Sequence, residues 1–202
     1  MGHMTKSKNL SPSVALAAAE TFLRYSRQFI DTLPKDQKQA ANIAVRNIGG
    51  LVASATTLSL ATELHLKSLL MFFTTDIPES HDLWGIFKRL PIDVMEGIEK
   101  EFDERYASFP KDEHLALNLI ILPLKQPKNP LVDSPAPGRD DVKSILKRSR
   151  NAFILWRYLY EKGEDWRHFS ITYECGGLGL LCEIIGRMVR EGLSHGKITL
   201  SD

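Results

Sequence analysis

The chain has 202 residues, of which 43% are hydrophobic and 25% charged, with a formal net charge of +1. That length suits one globular domain with a full core, and the near-neutral balance means that any polyanion must be held by a local patch. The two cysteines, Cys175 and Cys182, form no CxxC pair or cysteine–histidine cluster, which argues against a zinc site and for a reducing compartment.

Met1–Met4 (MGHM) reads as an expression-tag remnant and is set aside, which leaves residues 5–202 as a single helical domain. Ser11–Pro12 is a helix start, with Ser as N-cap and Pro at the first helical position. That helix runs to about Asp31, with Leu16, Ala19, Leu23 and Ile30 on one side, and Leu33–Pro34 stops it. A second helical stretch begins near Asp36, and Gly49–Gly50 interrupts it as a kink, a break or a close helix–helix approach. From about Leu51 to Phe73 the pattern is helical and apolar on more than one side. Leu58, Ala61, Leu69 and Phe72 form one stripe, and Leu60, Leu64, Leu70 and Met71 flank Glu63 and Lys67 on the opposite side. Such a helix is central in its fold or covered by a partner chain. Its charged residues argue against a membrane span, and a cytoplasmic protein is expected.

After the turn TTDIPES, Ser80 can cap a short helix that ends before Pro91, with Asp82 in its first turn. Pro91 starts another, with Met95, Ile98, Phe102 and Tyr106 as its buried stripe. Residues 107–140 are a long inserted excursion: Leu117–Leu124 (LNLIILPL) is a strand or a buried segment, and Pro123, Pro127, Pro130, Pro135 and Pro137 then break regular structure. Asp140–Asp141 can open a helix running to about Glu161, and the last helix starts after Gly177 and stops at Gly192. About six helices give an all-α bundle.

Glu63, Leu64, Leu66, Lys67, Leu69 and Leu70 in one helix, followed after a short turn by His81, Asp82 and Leu83, carry a resemblance. This E-L-x-L-K-x-L-L helix, turn and H-D-L helix start resembles HEPN domains, small all-helical proteins of prokaryotic toxin–antitoxin and defence systems. The resemblance implies a HEPN-like fold, a homodimer, RNA or a nucleotide as ligand, and an antitoxin protein as a further partner. It extends to metal-independent endoribonuclease activity, for which the family uses an Arg followed at four to six residues by a His near the end of the domain. Arg190 and His195 have that spacing. The His would take the proton from a ribose 2′-hydroxyl and the Arg would stabilise charge on the phosphate, with no metal or cofactor. The competing account of Arg190 is that a cation in the last helical turn suits the helix dipole.

The other candidates also have two readings. Glu63 and Lys67 are an i,i+4 ion pair, or Glu63 also accepts a hydrogen bond from His81 and ties two helices, since a buried carboxylate needs such a partner. His65 is either a proton-transfer group in a dimer cleft or a neutral core histidine satisfied by a neighbour. Lys143, Lys147, Arg148, Arg150 and Arg157 accompany Phe153, Trp156, Tyr158 and Tyr160. Of these, Lys147, Arg148, Arg150 and Arg157 are the RNA-binding candidates, against the alternative of a solvated face over core aromatics. Glu63, Lys67, His81 and Asp82 are expected to be structural. The function expected is an RNA- or nucleotide-binding HEPN-like protein with endoribonuclease chemistry, against a non-catalytic binding or dimerisation module that keeps only the fold.

Overall fold

The computed structural model describes residues 11–32, 48–108, 116–121, 141–150, 153–154 and 169–196. Among them are six helices, in chain order α1 (Pro12–Ile30), α2 (Ile48–Leu70), α3 (Leu83–Phe87), α4 (Ile92–Ala107), α5 (Val142–Arg148) and α6 (Cys175–His195). The molecule is an all-α bundle to which a two-stranded antiparallel ribbon is added. Its strands are β1 (Ala116–Ile121) and β2 (Phe169–Glu174), in register from Ala116 opposite Glu174 to Ile121 opposite Phe169.

α2 is the axis of the bundle. Leu51, Ala55, Leu58, Ala61, Leu66, Leu69 and Leu70 are all buried, and so are the polar Ser54, Ser59, Thr62, Glu63, His65 and Ser68. A helix buried nearly all round must satisfy its polar side chains internally. It does so partly along itself, Ser59 Oγ donating to Ala55 O at 2.7 Å and Thr62 Oγ1 to Leu58 O at 2.9 Å. Two go across to α1, Ser54 Oγ donating to Ser26 O at 3.0 Å and Ser68 Oγ to Pro12 O at 2.7 Å. These pairings set α1 antiparallel to α2. α6 lies parallel to α2, with Cys182 Sγ 3.4 Å from Thr62 Oγ1.

Several boundaries differ from the sequence reading. Gly49 and Gly50 do not break the helix: both lie inside α2, and at Gly50 the Phe29 ring of α1 packs against the helix. A Cβ there would come within 2.3 Å of Phe29 Cε2. α3 is capped by Asp82 and not by Ser80, because the Asp82 side chain accepts from Gly85 N at 3.0 Å while Ser80 Oγ accepts from Asp82 N. Pro91 precedes α4 as its N-cap, and Val94, Ile98 and Phe102 are its buried residues, with Met95 and Tyr106 packed against the core from the edge.

The helix opened by Asp141 is shorter than its periodicity suggests. Asp141 accepts from Ser144 N at 2.7 Å, but α5 ends at Arg148 and turns at Ser149–Arg150. α6 begins at Cys175, directly after β2, and runs through the buried Gly192 to His195. Ala116–Ile121 resolves the strand-or-segment question as a strand. The second helical stretch from Asp36, the proline run beyond 121, and Trp156, Arg157, Tyr158 and Tyr160 lie outside the described residues.

Candidate functional site

Three groups of chemistry-bearing side chains emerge, and each gathers some of the candidates. The first is built on Glu63. Its side chain is 4% exposed, and both oxygens are used: Lys67 Nζ donates to Oε1 at 2.7 Å and His81 Nδ1 donates to Oε2 at 2.8 Å. A carboxylate only accepts, so Nδ1 is the protonated ring nitrogen of His81. The His81 ring packs on Phe153 with centroids 5.0 Å apart. The next residue, Asp82, caps α3 with one oxygen and receives Arg150 Nε on the other at 2.7 Å. Leu83 N also donates to Arg150 O at 3.2 Å. Burial pushes the Asp82 carboxyl up, yet the Gly85 N–H and the Arg150 guanidinium outweigh it and hold the group below its ordinary value. The segment 81–83 is thereby fastened between α2 and the end of α5. Glu63, Lys67, His81 and Asp82 are brought together as one fastening, and Arg150 belongs to it as well as to the basic surface.

The second group surrounds Trp84. Lys88 Nζ lies 5.8 Å and Lys147 Nζ 5.6 Å from the indole centroid, so cations from the C-cap of α3 and from α5 converge on one ring. Each such contact is worth about 0.5–1 kcal/mol at an exposed site. The indole is itself stacked on the buried Phe87, centroids 5.8 Å apart at 23°. Lys147 and Arg148 occupy the last turn of α5, where the helix dipole favours positive charge. Trp84 and Lys88 were not among the candidates read from the sequence. Their i,i+4 spacing was the available signal, but Lys147 comes from a distant segment and its approach could not be read.

The third group lies along α6. Arg190 donates to Glu20 on α1. His195, five residues further on the same helix, is exposed and lies about 140° round the axis from Arg190. It is within the helix and not past its end, because α6 continues through Gly192. The histidine beside Arg190 is instead His65, which is 1% exposed. Its Nδ1 donates to Ala61 O at 2.8 Å, and its Nε2 would be 3.2 Å from a Cβ on Gly186, with Arg190 Nη1 3.5 Å from the same point. Burial lowers the His65 pKa against the pull of Ala61 and Glu20, with Arg190 and Arg27 lowering it further. This is the geometry of a neutral core histidine. Elsewhere α6 is laced to α1 and α4 by Arg27–Glu183, Arg105–Glu183 and Arg187–Glu101.

Among the described residues no group of His, Cys, Asp and Glu is placed to hold a metal, and no helix is long and apolar enough to cross a membrane. No protein-family model matches this sequence, and no curated protein or solved structure is significantly similar to it.

Proposed function

We propose that this chain is a HEPN-like helical protein that binds RNA or a nucleotide, of the kind found in defence and toxin-type systems, and acts as a homodimer. The observation that carries the binding half is the surface formed by α3 and α5, where Lys88 and Lys147 lie over the Trp84 ring and Arg150, nearby in sequence, is held by Asp82. Cations position phosphates, and in a molecule of net charge +1 such a cluster is where a polyanion finds its binding energy. The family half rests on the resemblance of the Glu63–Leu83 stretch, to which the Glu63–His81 hydrogen bond adds a structural reason for those residue types to occur together.

Binding is favoured over cleavage by one observation. Arg190 is engaged by Glu20, and His195 faces away from it on the same helix. A metal-independent cut needs base and phosphate clamp within reach of one ribose–phosphate unit; one protomer does not bring these two together, so a cut would need the second protomer to complete the site. The reading is tested by titrating labelled RNA into the protein in excess EDTA, wild type beside Lys147→Glu and His195→Ala. Tight binding by wild type, a clear loss in Lys147→Glu and no cleavage by any of them are expected. Cleavage by wild type but not by His195→Ala would restore the endoribonuclease reading, and no binding at all would remove the nucleic-acid reading. Light scattering of the purified chain checks the homodimer, with a monomeric mass counting against it.

A further inference from the structure

We infer that Trp84 is a stacking platform for an unpaired base, so that the α3–α5 surface takes single-stranded nucleic acid and not a duplex. This rests on the binding reading above and narrows it.

Three features of the ring carry the inference. It is half-buried, so part of its surface remains open to a ligand. Phe87, fully buried beneath it, holds the indole in one orientation, so little freedom is lost when a planar partner settles on it. Ammonium groups from two elements sit within 6 Å of its centroid. Among the described residues no ion pair holds Lys88 or Lys147, the Asp82 carboxylate feeling Lys88 only at longer range, so either ammonium group can turn to a phosphate. Every base offers a π-face, and a strand that stacks one base on an aromatic ring keeps its flanking phosphates beside it. When the base settles on Trp84, a lysine head that now lies over the ring moves aside onto a phosphate. A cation–π contact is thereby exchanged for stacking and a charge-assisted hydrogen bond. A duplex hides its base faces and would engage the lysines alone.

Arg150 adds a third cation in a fixed position. Asp82 holds its guanidinium, and the side chain is still 60% exposed, so it can face a phosphate without being reordered. The chemistry shared by RNA and DNA strands, a base face with adjoining phosphates, is what the site recognises.

The test uses the full chain with a short unpaired RNA, the DNA of the same sequence and the matching RNA duplex, followed by polarisation and by tryptophan fluorescence. Single strands should bind about tenfold tighter than duplex, and Trp84→Ala should weaken single-strand binding by about tenfold or more. Trp84→Phe should keep most of the affinity, which also covers the case in which Trp84→Ala fails to fold. The fluorescence quenched by a saturating strand in wild type should be absent from Trp84→Phe. Near-equal binding of RNA and DNA strands points to base stacking alone, and a preference for RNA adds a 2′-hydroxyl contact; both support the platform. Equal affinity for duplex, or no quenching assignable to Trp84, overturns it. If Lys88→Gln and Lys147→Gln weaken binding while Trp84→Ala does not, stacking falls and the binding reading stands. If no strand binds, both fall.

Discussion

Glu63 shows how one charged residue can be placed inside an apolar helix. Its two oxygens meet Lys67 and His81, so neither lone-pair set is left bare. Replacing it by Gln keeps the shape but removes the charge from two charge-assisted bonds, and a loss of about 1–3 kcal/mol is expected in urea unfolding. Unchanged stability would show that the network is dispensable. His65 sets a pH dependence. Burial holds its folded pKa below the ordinary 6.5, so between those values the unfolded chain binds a proton that the folded chain refuses. Stability is full above about pH 6.5 and declines as pH falls through that window. Glu99 has the opposite sign, since burial, Asp141 and Asp103 raise its pKa and its contribution is lost as pH rises above 4.5. Comparing Tm against pH for wild type and His65→Gln isolates the histidine, and the acid-side decline should be shallower in the variant. Cys182 is held inert by burial, which pushes its thiol up to about 12. Alkylation at neutral pH should therefore require denaturant.

At the scale of elements, two adjacent glycines near the start of α2 have different duties. A Cβ on Gly49 meets nothing within 4 Å, whereas one on Gly50 runs into the Phe29 ring at 2.3 Å. Gly49→Ala should gain roughly 0.5 kcal/mol by restricting the unfolded chain. Gly50→Ala should lose about 1–3 kcal/mol by displacing the Phe29 ring that packs on it. Opposite signs in paired thermal melts would establish that Gly50, and not the pair, accommodates the ring. α6 is fixed in the same two ways, by close packing and by charge. Gly177 lets Ile145 of α5 come near, and the ion pairs to α1 and α4 align its outer side. Those exposed pairs contribute little energy each, a median of about 0–1 kcal/mol, so their main effect is on register.

Over the whole molecule, charge is arranged in two patterns. Along α1, α4 and α6 the cations Arg27, Arg105, Arg187 and Arg190 are each matched by a glutamate, so that side attracts a polyanion weakly. Around α3 and α5, Lys88 and Lys147 are matched by an aromatic ring, and of these two and Arg150 only Arg150 is matched by a carboxylate, that of Asp82. If those two lysines and Arg150 are the phosphate contacts, the logarithm of affinity for a single strand should fall against the logarithm of salt with a slope of about −2. A slope several times steeper would mean that a larger surface takes part.

Much of the fold was legible because a helix is a local object. Its hydrogen bonds join residues four apart, so Pro12, Pro91 and Asp141 mark starts, and apolar spacing marks the buried faces of α2, α4 and α6. The Glu63–Lys67 pair and the availability of His81 as a partner were readable for the same reason. What only the tertiary structure decided is what depends on segments far apart in the chain. The pairing of Ala116–Ile121 with Phe169–Glu174 is one such feature, and it also moved the start of α6 up to Cys175. The commitment of Arg190 to Glu20 is another, as is the meeting of Lys147 with Trp84. Sequence periodicity reports which side of an element is buried but not what it is buried against, and the candidate site is made of such meetings.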